Sequence, residues 1–252
     1  MKPVFKPITT LTVLAALAFP LIAGAAGFAD CPQFFVNQQP PAFKGAKLRA
    51  LCFSHFAVLH NGQTRTPVFS AERLTASEIE QAKHVEREDR FFADHRLPEN
   101  ERAELEDYQG SGYDRGHMAP SHDQPDETAM AQSFSLANMV PQNSHNNRGP
   151  WSAFEATTRK YATLAAGPIY VISGPVFGPN PQRLNNRVAI PSQLFKLVYD
   201  PSANKAWAYW IDNTDTAQIA PPISYSELTK RIGVRLLPRG VRPGYADVEA
   251  TH

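Results

Sequence analysis

Strong net charge is missing from this chain. Its 252 residues include 25 Lys and Arg against 24 Asp and Glu, so the formal net charge at pH 7 is +1. Without a broadly basic surface, composition gives no support for a nucleic-acid partner. Any such partner has to be held by a local group of cations, by a metal ion, or by both.

Long apolar runs are also scarce, and the one present lies near the N-terminus. Two lysines precede a mostly apolar run over residues 11–23, and an Ala-x-Ala pattern ends at Ala25. This arrangement is typical of a secretory signal peptide over residues 1–26, cleaved after Ala25 or Ala26. Because the run is short and interrupted by Pro20, an uncleaved membrane anchor is the minor alternative. We therefore expect an exported protein, periplasmic or secreted, whose mature form has no membrane segment.

Residues 27–252 would then form the mature chain, which is long enough for one domain with a substantial core. Removing residues 1–26 takes away two lysines and no acids, so the formal charge changes from +1 to −1. A homodimer is compatible with the sequence.

Cysteine occurs only at Cys31 and Cys52. In an exported protein an even pair favours a disulfide over a metal site. The bond would tether the N-terminal arm and contribute about 3 kcal/mol in the chain-entropy model. Two free buried thiols are the alternative.

Repeats and low-complexity segments are absent, and the local patterns are mixed. Residues 27–48 are rich in Pro, Gln and Phe without clear periodicity, which predicts an irregular N-terminal arm. Asn61-Gly62 is a strong hairpin turn signal between strand-like residues 51–60 and 66–69.

Helices and strands alternate irregularly along the rest of the chain. A polar segment from Thr75 with Ser77 as its cap predicts a helix, and Pro150 suits the first turn of another that runs to about Ala165. The other predicted elements are strands at 134–140, 169–172, 188–190, 194–199 and 206–211, and a helix at 225–232 that ends at Gly233. The fold class predicted is α+β, a largely antiparallel central sheet flanked by helices.

The segment Tyr113–Pro120 combines a cation with a titratable base in extended backbone. Side chains alternate in such backbone, so Arg115 and His117 share one face while Asp114 and Gly116 share the other. A guanidinium grips phosphate, and an imidazole accepts a proton near neutral pH. This face suits phosphodiester chemistry.

Further polar residues follow downstream in the order amide, amide, carboxylate, cation. They are Asn138, Asn147, Glu155 and Arg159. Glu155 and Arg159 are four residues apart on the predicted helix, so they are neighbours on one side of it. Two strands and this helix can bring the set to one point.

Taken singly, these residues have ordinary structural interpretations. A lone His is more often a surface or satisfied core residue, Asn is common where a helix begins, and a Glu–Arg pair is often a surface ion pair. Nearby His122, Asp123 and His145 raise the alternative of a zinc hydrolase, but their spacing matches no familiar zinc pattern.

The combined pattern resembles the DNA/RNA non-specific endonuclease family. These ββα-metal or His-Me finger nucleases include mitochondrial endonuclease G. The resemblance rests on Asp-Arg-Gly-His at 114–117, then Asn138, then Asn147 with Trp151 and Glu155 behind it. Upstream, residues 87–94 and 107–113 resemble the family as well, and the similarity covers roughly residues 50–235. It implies a ββα-metal motif in a bacterial, exported member.

The resemblance also implies roles for individual residues. His117 would be the general base that deprotonates the attacking water, and Asn147 the one direct protein ligand of Mg²⁺. Glu155 would hold water ligands of the metal, while Arg115 and Arg87 would bind the phosphate, with Arg90 competing for the role of Arg87. Asn138, Asp114 and Arg159 would support the site, Arg159 by orienting Glu155.

A sparse Mg²⁺ site is chemically reasonable, because this ion keeps much of its hydration shell. Mn²⁺ is a possible substitute. The implied activity is hydrolysis of DNA and RNA to products with 5′-phosphate ends. The alternative is a nucleic-acid-binding module of the same fold that has lost hydrolysis. His117, Asn147 and Glu155 are all present, which favours the enzyme.

Overall fold

The computed structural model describes Met1 and residues 27–245. The predicted signal peptide and its cleavage site therefore lie almost entirely outside the described residues. Twelve strands are found in the described part of the chain: β1 Leu48–Cys52, β2 Phe56–Asn61, β3 Thr66–Leu74, β4 Asp114–His117, β5 Met139–Gln142, β6 Ile169–Val176, β7 Arg183–Leu184, β8 Val188–Ala189, β9 Gln193–Asp200, β10 Lys205–Asp212, β11 Ile223–Ser224 and β12 Gly244–Tyr245.

The helices are mostly short. They are α1 Ala76–Ala82, α2 Leu105–Tyr108, α3 Glu127–Ser133, α4 Ser144–Asn146, α5 Ser152–Leu164 and α6 Tyr225–Ile232. A π-helical turn, Asn147–Trp151, joins α4 to α5. No helix within the described residues is long and apolar enough to cross a membrane.

The main sheet has eight strands in the order β1-β2-β3-β6-β9-β10-β11, with β12 beside β10. Its pairs are antiparallel, apart from the parallel pair of β10 and β12. The predicted fold class is confirmed. Strands β4 and β5 pair antiparallel in a separate two-stranded sheet.

Each face of the main sheet has its own core, and β9 shows why. Leu197 and Tyr199 of β9 pack on one face with α6 and the N-terminal arm, whereas Leu194 and Val198 pack on the other with α5. This is the alternation expected of a strand covered on both sides. The second face supports the ββα unit of β4, β5 and α5.

The N-terminal arm is irregular, as predicted, but much of it is buried. Phe28, Phe34 and Phe35 lie in the core, and the rings of Phe28 and Phe35 are 5.9 and 6.1 Å from that of Phe69. The predicted disulfide between Cys31 and Cys52 is present and ties the arm to β1.

Three predicted boundaries are corrected. The first helix is capped by Thr75 and not Ser77, because Thr75 and Glu78 form a reciprocal capping box. Residues 51–60 are not one strand, since β1 ends at Cys52 and turns into β2. Within 134–140, residues Leu136–Asn138 form a 3₁₀ turn, and the strand begins only at Met139.

Candidate active site

The β4–β5 pair owes its close approach to Gly116. In the register, Asp114 lies opposite Gln142 and Gly116 opposite Val140. A Cβ atom at Gly116 would come within 2.6 Å of the Cβ atom of Gln142, so only glycine fits. The Gln142 amide Nε2 donates to Asn146 Oδ1 over 2.7 Å, which links β5 to the turn that precedes Asn147.

His117 lies at the end of β4 among aromatic rings. Its imidazole meets Phe134 edge-on at 5.0 Å and Phe91 at 5.9 Å. Burial lowers the pKa of His117 to about 3, and the charges of Arg87 and His122 act in the same direction. The imidazole is therefore neutral at pH 7.

The two ring nitrogens of His117 differ. Nε2 is covered and has no hydrogen-bond partner, whereas Nδ1 is not among the covered atoms and makes no hydrogen bond with the described residues. A neutral ring with its proton on Nε2 would present the Nδ1 lone pair to the cleft beside it. Nδ1 is thus the nitrogen able to accept a proton there.

Two arginines line the same cleft. The Arg115 guanidinium lies 4.0 Å from the centre of the Phe91 ring, and the Arg87 guanidinium lies 5.3 Å from that of Phe134. Arg87 also donates to Ser121 Oγ over 2.9 Å and to Asp89 Oδ1 over 2.6 Å. Arg90 points elsewhere, with an 83% exposed side chain paired to Glu88. The structure thus puts Arg87, not Arg90, at the cleft.

Asn147 is oriented by Asp114. The amide Nδ2 of Asn147 donates to Asp114 Oδ2 over 2.9 Å, and the Arg148 guanidinium holds both oxygens of the same carboxylate. Burial opposes ionisation of Asp114, but these hydrogen bonds outweigh it and lower its pKa. The amide oxygen Oδ1 of Asn147 has no hydrogen bond with the described residues and remains available as a ligand.

Glu155 lies on the first turn of α5 and is partly buried. Burial, together with the nearby negative charge of Asp123, raises the pKa of Glu155 to about 7, although Lys196 and Arg159 oppose the shift. A cation bound nearby would lower this pKa, because positive charge favours the ionised form of the carboxyl group.

The predicted role of Arg159 requires a correction. Its guanidinium donates to Asp123 Oδ1 over 2.9 Å, and no hydrogen bond to Glu155 is formed. Asp123 is buried and forms the ion pair with Arg159. The charge of Arg159 therefore affects Glu155 only through space. Asn138 does brace the region, since its amide bonds to Ser70, Ser133 and both polar backbone atoms of Ala119.

These residues meet in one cleft of about 690 Å³. Among its lining residues are Arg87, Asp114, Arg115, His117, Asn147 and Glu155. Asn138 and Arg159 lie outside its lining. The structure therefore brings together the predicted base, metal ligand, carboxylate and two phosphate-binding cations.

Comparison with known proteins decides the family. The model of the DNA/RNA non-specific endonuclease family matches residues 38–236. The chain belongs to this family.

Individual relatives of this endonuclease family agree. The chain is 30% identical over 209 residues to Nuclease 1, mitochondrial, of Schizosaccharomyces pombe, covering 71% of the chain and 64% of the relative. It is 33% identical over 167 residues to Nuclease C1 of Cunninghamella echinulata var. echinulata, covering 61% and 66%. Nuclease EXOG, mitochondrial, of Homo sapiens is 32% identical over 164 residues, covering 59% of the chain and 43% of the relative. The chain thus spans less than two thirds of the length of each.

A solved structure shares the fold. The crystal structure of the EndoG/EndoGI complex superimposes with a TM-score of 0.69 at 22% identity, covering 83% of this chain and 95% of the other.

Members of the endonuclease family of this fold use a divalent metal, and the residues present here fit one. Asn147 offers a free amide oxygen, and Glu155 has a pKa that a cation would lower. Among residues 27–245 no group of three His, Cys, Asp or Glu side chains can enclose a metal, so the zinc alternative finds no ligand set there. Oxygen donors with much of the coordination left to water suit Mg²⁺.

Several side chains in or near this site lack any sequence signal of their own. Phe91 and Phe134 surround His117, but an aromatic residue in a polar segment is normally assigned to the core. Lys196 is fully buried on β9, where Nζ donates to Ser173 Oγ over 2.8 Å and lies 5.1 Å from the Trp151 ring centre. Only the three-dimensional arrangement shows these contacts.

Proposed function

We propose that this chain is an exported, Mg²⁺-dependent endonuclease that hydrolyses phosphodiester bonds of both DNA and RNA. The observation that carries the proposal is the shared cleft, in which a neutral His117 faces the same space as Asn147, Glu155 and two arginines. The family of the chain supports the same substrate class.

His117 acts as the base in this scheme. Its Nδ1 accepts a proton from the water that attacks phosphorus, while the P–O3′ bond breaks and O3′ leaves, taking a proton from solvent. A pKa of about 3 keeps the imidazole unprotonated at neutral pH, so its lone pair is free to accept the proton. Phe91 and Phe134 hold the ring so that its orientation is fixed before the substrate arrives.

Arg115 and Arg87 bind the phosphate oxygens. Both guanidiniums lie over aromatic rings, which limits their motion. Because phosphate contacts position a substrate without reading its bases, we expect little sequence preference.

Asn147 and Glu155 would hold the metal, Asn147 through Oδ1 and Glu155 through water. When bound, Mg²⁺ supplies positive charge that stabilises the oxygen anions developing during hydrolysis. Asp114 supports this arrangement by accepting from Asn147 Nδ2, so that the amide oxygen faces the cleft. We expect 5′-phosphate ends on the products and Mn²⁺ as a possible substitute.

Export is supported by the N-terminal sequence pattern and by the disulfide, which persists in oxidising compartments. We propose a periplasmic or secreted location. Fractionation of the producing cells tests it, and recovery of the protein only in the cytosol would contradict it.

The activity is tested by incubating the purified mature chain with plasmid DNA and with RNA, in Mg²⁺, in Mn²⁺ and in a chelator. We expect both nucleic acids to be cut internally with either metal, and no cleavage in the chelator. 5′-Phosphates are shown if the products accept a 5′ end-label only after phosphatase treatment. Binding without cleavage under every condition would support the non-hydrolytic alternative.

A further inference from the structure

A second groove continues from the catalytic cleft. It has a volume of about 520 Å³ and runs between α1 and α5. Arg87 and His122 line both spaces, so the groove and the cleft share a wall. A linear ligand bound in the cleft can therefore extend into the groove. We call it the α1–α5 groove.

The lining of the α1–α5 groove has one sign of charge. Besides Arg87, its cationic side chains are Lys83, Arg159 and Lys160, and no Asp or Glu is among the residues that line it. The catalytic cleft differs, because acids such as Glu106 and Asp89 line it as well. In a chain of nearly zero net charge, this is a local concentration of positive charge.

The cations of the α1–α5 groove differ in how free they are. Arg159 is paired with buried Asp123, and Lys83 with exposed Glu80. Lys160 is exposed and forms no ion pair with any described residue. An exposed pair such as Lys83 with Glu80 contributes little, so an incoming anion displaces it readily. Lys160 and Lys83 are therefore the cations most able to take up a new negative charge.

Apolar side chains line the groove as well. They are Ile79, Ala82 and Val85. Its cations suit a sugar-phosphate chain, because the phosphates of a nucleic-acid strand follow a positively charged groove.

We propose that the α1–α5 groove binds the sugar-phosphate backbone of the substrate strand beyond the scissile phosphate, with Lys160 and Lys83 contacting phosphates. This inference rests on the proposed nuclease function, since that function supplies the polyanion. It also assigns Arg87 a second task, at the junction where the strand leaves the catalytic cleft.

Charge reversal in the groove tests the inference. Lys160→Glu and Lys83→Glu are compared with Lys230→Glu, an exposed lysine on α6 against the opposite face of the sheet. Binding of a long, labelled single-stranded oligonucleotide is measured in chelator, so that no cleavage is needed. We expect each groove variant to raise the Kd about tenfold, and to reduce the slope of log K against log salt by about 1.

A kinetic comparison separates groove binding from damage to the catalytic cleft. We expect kcat/KM for the oligonucleotide to fall about tenfold more than that for bis(p-nitrophenyl) phosphate, which is too small to reach the groove. A Kd and salt slope equal to those of Lys230→Glu, or equal losses on both substrates, would overturn the inference. If the parent protein cuts nothing, the proposed function fails, yet the binding measurement still decides the groove.

Discussion

His117 gains its chemical character from its neighbours. The rings of Phe91 and Phe134 exclude water from one side of the imidazole, and this desolvation is the largest cause of its low pKa. The same rings stack under Arg115 and Arg87. Two phenylalanines thus contact the proposed base and both proposed phosphate-binding cations.

Asn147 is the residue on which metal use should depend. Asn147→Ala removes the free amide oxygen, so we expect the Mg²⁺ concentration for half-maximal cleavage to rise by roughly tenfold or more, at least the loss seen when an outer partner of a metal ligand is removed. A Mg²⁺ titration of cleavage rate measures this. The control is Asn100→Ala, an exposed asparagine that does not line the cleft. An unchanged titration would refute the ligand assignment.

Sequence alone predicted the residues of the motif but not their partners. The order of His117, Asn147 and Glu155 indicated the chemistry, since each residue type is suited to its task. The partner of Arg159 was missed, because Asp123 comes from a different segment and helical spacing pointed to Glu155. Spacing describes neighbours within an element and is silent about residues folded against it.

At the level of elements, β4 and β5 approach so closely that there is no room for a side chain at position 116. Gln142 fills that space and bonds to Asn146, next to the metal-ligand candidate. The geometry of the strand pair and that of Asn147 are thereby coupled.

Gly116→Ala tests this coupling. The new Cβ would displace Gln142, and overpacking of this kind typically costs about 1–3 kcal/mol. We expect a lower melting temperature and a loss of cleavage activity. Gly178→Ala is the matched control, because a Cβ there meets no atom within 4 Å and the φ angle is ordinary. Equal melting curves for the two variants would contradict the role of Gly116.

Regular elements were predicted better than their ends. Strands β9 and β10 and helix α6 have clear periodicity and were found where the sequence placed them. The turn Leu136–Asn138 was predicted as part of a strand over residues 134–140. Its backbone instead follows the hydrogen bonds that the Asn138 side chain makes with Ser133 and Ala119.

For the molecule as a whole, the main sheet separates two layers. One face packs against the disulfide-tied arm and α6, and the other carries the ββα unit. The near-zero net charge is compatible with nucleic-acid binding, because the α1–α5 groove is lined by cations and by no Asp or Glu.

Stability should depend on pH through His60, a buried residue of β2. Its Nε2 lies 2.9 Å from the carbonyl oxygen of Glu101, and burial lowers the pKa of His60 from 6.5 to about 4. The unfolded chain therefore binds this proton at a higher pH than the folded chain. The contribution of His60 is complete above 6.5 and is lost as pH falls towards 4, by about 3 kcal/mol at most.

Denaturant unfolding across this pH range checks the prediction. In His60→Gln the fall in the free energy of unfolding should be smaller than in the parent, whereas His95→Gln, at an exposed position, should leave it unchanged. A His60→Gln variant with the same pH dependence as the parent would show that another group is responsible.

The central claim, that His117 is the base in a metal-dependent nuclease site, is tested most directly by His117→Ala under single-turnover conditions with Mg²⁺. We predict that cleavage of DNA and RNA falls by about 10²-fold or more, the lower end of the contribution of a general base, while the Kd for the oligonucleotide stays close to that of the parent. Cleavage at the parental rate would contradict the claim.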